Sequence, residues 1–85
     1  MAGAYPDWVE IDAAGDVALS AEAAAGLLGI PPDAFLADLR AGAVYSVVER
    51  GEGEDAGRLR LTLRRRATEC VLVVEAATGR VIEVR

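Results

Sequence analysis

Beyond Gly42 the apolar residues stop recurring every third or fourth position and alternate instead, and this period of two holds to the end of the chain. Successive side chains of a strand point to opposite faces, so such alternation commits the second half of the chain to antiparallel β-structure with one buried face. Four segments carry the pattern: Val44 to Glu49, Arg58 to Arg64, Glu69 to Ala76 and Arg80 to Val84. Their connections read as hairpins, which predicts a meander. Requiring apolar residues to meet on one side sets the registers, because a slip of one residue would turn every side chain to the other face. Val48 then opposes Leu59, Ser46 opposes Leu61 and Val44 opposes Leu63. In the second hairpin Leu63 meets Cys70, Leu61 meets Leu72 and Leu59 meets Val74. A three-residue loop of Ala77, Thr78 and Gly79, with Gly79 left-handed, sets Val74 against Ile82 and Leu72 against Val84.

Upstream of Gly42 the period is helical. Ser20 stands at an N-cap position with Glu22 in the first turn, ahead of an alanine-rich stretch to Leu28. Gly29 is a natural left-handed stop, and Pro31 and Pro32 bar continuation. Pro32 opens a second helix in which Phe35, Leu36 and Leu39 share a face while Asp33, Ala37 and Arg40 lie away from it. Before Ser20 the pattern reads as a strand from Trp8 to Ile11, a turn at Ala13, Ala14 and Gly15, and a second strand through Val17 and Leu19. The expected fold is α+β: a helical hairpin packed on one face of a four- to five-stranded antiparallel meander, in one domain over residues 1–85 with 1–7 flexible. Its core should hold Leu27, Leu28, Phe35, Leu36, Leu39, Val48, Leu59, Leu61, Leu63, Leu72, Val74, Ile82 and Val84.

Composition narrows the function classes. The 85 residues include no His, and all nine basic residues are Arg. Without histidine the Ser/His, Cys/His and His-zinc designs are excluded, which leaves no expected catalytic residue, no metal site and no cofactor. A net charge of −5 opposes sequence-independent binding to nucleic acid or anionic lipid. No signal-type N-terminus or membrane-length apolar run is present, so a cytoplasmic location is expected, and the single Cys70 fits a reducing compartment.

Four constellations invite a functional reading. The helix pair followed by a hairpin has the layout of a helix-turn-helix regulator, but the second helix offers Asp33, Ala34, Ala37, Asp38 and Arg40, and its carboxylates would repel phosphate. DNA binding is therefore the runner-up, behind a protein-interaction or regulatory module and ahead of a minimal enzyme or a small-anion binder. The loop from Glu49 to Gly57 holds Glu49, Glu52, Glu54 and Asp55 without the spacing of a calcium loop, so it reads as a solvated hairpin tip. Arg58, Arg60 and Arg64 share the outer face of the sheet. Glu49 and Glu75 flank Arg58 and Glu69 opposes Arg64, which leaves Arg60, Arg65 and Arg66 as the unpaired remainder that an anion would use. Cys70 sits inward among leucines with no base beside it, the setting of an inert thiol, and Ser46 is likewise inward.

The run Glu49, Gly51, Asp55, Gly57, Arg58, Arg60, Leu61, Thr62, following a helix pair that ends Leu39, Arg40, Ala41, Gly42, resembles small uncharacterised bacterial proteins grouped as a domain of unknown function. The likeness covers roughly residues 8 to 84. It implies a fold unit and no functional residue.

The same alternation that fills the inner face leaves Tyr45, Val47, Val71, Val73 and Val81 on the outer one, between Arg60 and other charged positions. A wet face should be polar, so something is expected to cover it. The candidate interaction surface is Tyr45, Val47, Arg60, Val71, Val73 and Val81. Its expected cover is a second copy packed sheet to sheet in a homodimer, with the N-terminal segment folding across, or an unidentified protein partner, as the alternatives.

Overall fold

The computed structural model describes residues 6–85. The expected flexible lead therefore lies, for residues 1–5, outside the described residues. Two short strands, β1 (Glu10–Ile11) and β2 (Val17–Ala18), precede helices α1 (Ala21–Leu28) and α2 (Pro32–Arg40). Strands β3 (Val44–Arg50), β4 (Arg58–Arg65), β5 (Thr68–Glu75) and β6 (Val81–Val84) follow, joined in the order β3-β4-β5-β6 as an antiparallel meander. The fold is α+β, with the helical hairpin packed on one face of the sheet.

The boundaries follow local chemistry. Ser20 Oγ accepts a hydrogen bond from the Ala23 amide at 3.0 Å and so caps α1. Gly29, at φ 72°, closes it in a left-handed turn, and the Ile30 amide donates back to Ala25 at 3.0 Å. Pro32 occupies the first turn of α2, where its missing N–H costs nothing. In the β1–β2 turn Asp12 Oδ1 accepts from the amides of Ala14 and Asp16, at 2.9 and 3.0 Å.

The core lies between the helices and β4–β5. Leu59, Leu61 and Leu63 from β4, Cys70, Leu72 and Val74 from β5, and Ala24, Ala25, Leu27, Leu28 and Phe35 from the helices are buried together with Val9. The β4–β5 register is the expected one, with Leu63 on Cys70, Leu61 on Leu72 and Leu59 on Val74.

The other two hairpins differ from expectation in instructive ways. Between β3 and β4 the pairing is displaced by two residues, so Val48 faces Leu61, Ser46 faces Leu63 and Val44 faces Arg65. A displacement of two preserves which face each side chain takes, so hydrophobic pattern alone cannot detect it. The loop decides the matter. The chain folds into a 3-10 turn at Gly53–Asp55, with Gly51 so close to the Asp55 carbonyl that a Cβ would lie 2.1 Å from the oxygen, and pairing runs on through Arg50 and Leu59.

In the last hairpin Leu72 does meet Val84. However, the Glu75 amide donates to Arg80 at 2.9 Å, so four residues rather than three form the loop. A bulge between Val73 and Val74 absorbs the extra residue, setting Val74 against Val81 and leaving Ile82 without a partner and 39% exposed. Ile82 is therefore not a core residue, and Val81 packs against the core instead of lying on the outer face. Leu36 and Leu39 also fall outside the core, because the packed side of α2 is formed by Ala34, Phe35 and Asp38.

Past β6 the chain gains a further, minimal strand. The Val9 amide donates to Gly79 at 2.7 Å and the Val81 amide donates to Asp7 at 2.8 Å, with Trp8 bridged to Arg80. Gly79, at φ 82°, lies so close to this segment that a Cβ would sit 1.9 Å from the Val9 carbonyl oxygen. Gly79→Ala should therefore destabilise the protein by about 2 kcal/mol or more, read as a lowered denaturant midpoint. By the same measurement Leu72→Ala should cost about 3 kcal/mol, whereas Ile82→Ala should cost less than about 1 kcal/mol.

Candidate functional site

The outer face of the sheet is laid out in cross-strand rows. One runs Tyr45–Arg64–Glu69, the next Val47–Thr62–Val71, the next Glu49–Arg60–Val73–Glu83, and the last sets Arg58 beside Glu75. Of the residues expected to form an interaction surface, Tyr45, Val47, Arg60, Val71 and Val73 are gathered here, and Val81 is removed by the bulge. Tyr45 is 57% exposed, while Val47, Val71 and Val73 are half-buried. From Asp7 onward the described N-terminal residues do not cross this face, because Asp7 to Val9 runs along the far edge beside Gly79 to Val81. Trp8, bridged to Arg80 there, is 58% exposed.

Arginine pairing on this face follows from the two-residue displacement in the first hairpin. Arg60 donates to Glu49 Oε1 through Nε at 3.1 Å and through an NH2 group at 2.8 Å, and Arg58 lies 3.7 Å from Asp55. Arg85 donates to Glu83 at 2.7 Å, and this contact holds the exposed Glu83 carboxyl below its ordinary range and raises the Arg85 guanidinium. Arg65, on the inner side of β4, pairs with Asp38 of α2 in a largely buried contact. The expected unpaired set of Arg60, Arg65 and Arg66 is thus corrected, since the first two have carboxylate partners. Arg66 instead occupies the β4–β5 turn at φ 57°.

A cleft of about 270 Å³ opens where the β3–β4 loop meets the end of β6, with Val73 on its wall among Arg58, Arg60, Glu83 and Arg85. On the helical side a smaller cleft of about 160 Å³ lies between Leu19, Phe35, Ser46, Leu61 and Leu63. Ser46 points to this side as expected but is exposed, since the helices cover β4 and β5 more fully than the edge strand. Cys70 is buried, and loss of solvation pushes its thiol up from the ordinary value. Among the described residues no three His, Cys, Asp or Glu side chains converge as metal ligands would. Glu49 and Asp55 of the acidic loop are turned to arginines. No helix of the described residues is long and apolar enough to cross a membrane.

Trp8, expected with Val9 and Ile11 to fold across the outer face as the alternative cover, instead stands at its edge, bridged to Arg80. No curated protein and no solved structure matches the chain. A family model does, over residues 7–85, and on that match the chain belongs to a family of unknown function, DUF6522.

Proposed function

We propose that the chain is a single, non-enzymatic interaction module whose contact surface is the outer face of the sheet, and whose first partner there is a second copy packed face to face. One observation carries this reading. The row of Val47 and Val71, with Val73 and Tyr45 beside it, lies on the side of the sheet opposite both helices, and the described residues from Asp7 to Val9 pass along an edge instead of over it. Covering each valine contributes on the order of 1 kcal/mol, so a few suffice to favour association. The paired Arg58, Arg60 and Arg85 border the row on one side and Arg64 and Glu69 on the other, a charged rim of the kind that surrounds an apolar contact patch.

The chemistry available supports binding over catalysis. The one thiol is buried, its proton is held more tightly than usual, and no histidine exists to take it. DNA recognition gains no support from α2, which exposes Asp33, Leu36 and Leu39 and holds Asp38 in an ion pair.

Val73→Asp should halve the mass of the assembly in light scattering at micromolar concentration while the variant still unfolds cooperatively, and an unchanged mass would sink the face as a contact surface. Cys70 should resist alkylation at pH 8 in the folded protein and react once denaturant is added. Rapid labelling of the native protein would contradict the inert-thiol reading.

A further inference from the structure

The two edges of the four-stranded sheet are unlike. β6 is four residues long, is interrupted by the bulge at Ile82, and is paired on its outer side by Asp7 and Val9. Short length, bulges and a covering segment are the usual means of closing a sheet edge. β3 is neither short nor bulged, and among the described residues no backbone pairs with its open side, although the β1–β2 turn reaches its Arg50 end, where a Cβ at Gly15 would lie 2.9 Å from the guanidinium. Its seven residues, Val44–Arg50, run without proline, lysine or bulge, and its only charges, Glu49 and Arg50, sit together at one end.

The backbone of β3 is divided between its two sides. The Gly51 amide donates to the Arg58 carbonyl at 2.9 Å, so by alternation Glu49, Val47 and Tyr45 also turn their amides and carbonyls to β4. Those of Arg50, Val48, Ser46 and Val44 point to the open side, where no other backbone group among the described residues bonds to them.

We infer that a second copy of this chain adds to the sheet along β3, antiparallel, about a two-fold axis through Val47. This is a second contact surface, separate from the outer face, and it stands whether or not that face is covered. Rotation about Val47 sets Ser46 against Val48 and Val44 against Arg50. Each such pair joins residues whose amides and carbonyls already face the open side, so the two strands exchange hydrogen bonds without disturbing β4. Val47 meets its own copy in a non-hydrogen-bonded pair, and Tyr45 faces Glu49, so no like charges are opposed. An axis through Ser46 or Val48 keeps the same parity but leaves part of the strand overhanging. The axis through Val47 uses all seven residues.

An axis that relates identical antiparallel strands stands perpendicular to the sheet, which places both helical layers on the same side. α2 is the helix that packs towards β3, and on its flank away from Ala34, Phe35 and Asp38 it carries Leu36, 37% exposed, and Leu39, 49% exposed.

Three variants test the inference. Ser46→Pro removes an amide that points to the open side and none that bonds to β4, so it is tolerated by an edge strand and blocks addition. Val47→Cys places two thiols across the axis, where a Cα separation of about 4.5 Å is within disulfide reach, whereas Thr62→Cys lies one strand inward. With both surfaces working, light scattering should give four copies, falling to two in Ser46→Pro and to two in Val73→Asp. Made in the Val73→Asp background, which removes the face contact, Val47→Cys should cross-link to its own copy on air oxidation, and Thr62→Cys should not. If Val73→Asp is monomeric, or if Thr62→Cys cross-links as readily as Val47→Cys, the edge is not a contact and only the face reading survives. If Ser46→Pro is monomeric and Val73→Asp leaves the mass of the wild type unchanged, the edge stands and the face reading falls. Should Ser46→Pro fail to fold, the comparison of the two cysteine variants decides alone.

Discussion

Pairing of β4 with β5 sets the terms for everything else in the molecule. These two strands bring Leu59, Leu61, Leu63, Cys70, Leu72 and Val74 onto one face, and Leu59, Leu72 and Val74 among them are the most completely enclosed large side chains among the described residues. Full burial of side chains of this kind is worth about 2 kcal/mol each. That apolar face gives α1 and Phe35 of α2 something to pack on. The parity fixed there then propagates outward, because β3 and β6 must present the same side to the same layer. The displacement in the first hairpin keeps this parity, so the inner face survives a register that differs from the simplest alternation. The bulge near Ile82 breaks parity at one residue only and restores it at Glu83 and Val84, where pairing to Val73 and Leu72 resumes.

Much of this was legible in the sequence for a physical reason: period, caps and central register are all local or pairwise properties of neighbouring residues. Ser20, Gly29 and Pro32 mark helix ends through their own backbone and side-chain chemistry, and the leucines of β4 have a single apolar arrangement against β5. What was not legible depends on geometry that no side-chain pattern encodes. A two-residue displacement leaves every residue of β3 on its expected face, and only the tight approach of Gly51 to the Asp55 carbonyl selects it. The bulge comes from a four-residue loop in which Thr78 Oγ1 donates to Glu75 and accepts from the Arg80 amide. Leu36 and Leu39 fit a helical stripe, yet a helix at the rim of a narrow sheet has less surface to bury them against than their spacing implies.

The candidate site shows the same division. Tyr45, Val47, Val71 and Val73 reach the outer face because alternation requires it, and the sequence placed them correctly. Val81 was misplaced by the same bulge that exposes Ile82. The arginines were the least legible, since each partner depends on register. Moving β3 by two residues hands Glu49 from Arg58 to Arg60, and only tertiary packing brings Asp38 of α2 to Arg65. An anion seeking Arg60 or Arg65 would have to displace a carboxylate already in contact, which weakens the anion-binding reading.

Charge is also segregated between the two sides of the sheet, and this bears on how copies can meet. The outer face carries Arg58, Arg60, Arg64, Arg80 and Arg85 against Glu49, Glu69, Glu75 and Glu83, close to balance. The net −5 of the chain therefore resides in its remaining residues, where ten carboxylates outnumber four arginines and nine of the ten lie in the β1–β2 hairpin, the helices and the β3–β4 loop. Two outer faces approach one another without a long-range penalty, and their acidic layers end on opposite sides of the assembly. Joining at β3 sets the acidic layers side by side, and the groups beside the strand on the helical side are mixed: the Asp38–Arg65 pair at the Val44 end, Val17 and Leu19 beside Ser46, and Gly15 against the Arg50 guanidinium. At physiological ionic strength charges more than about 8 Å apart are largely screened, so only the carboxylates beside the edge bear on the approach of a second copy. The acidic layer stays in water in both arrangements, and each contact draws on a part of the surface where opposite charges already balance or charge is absent.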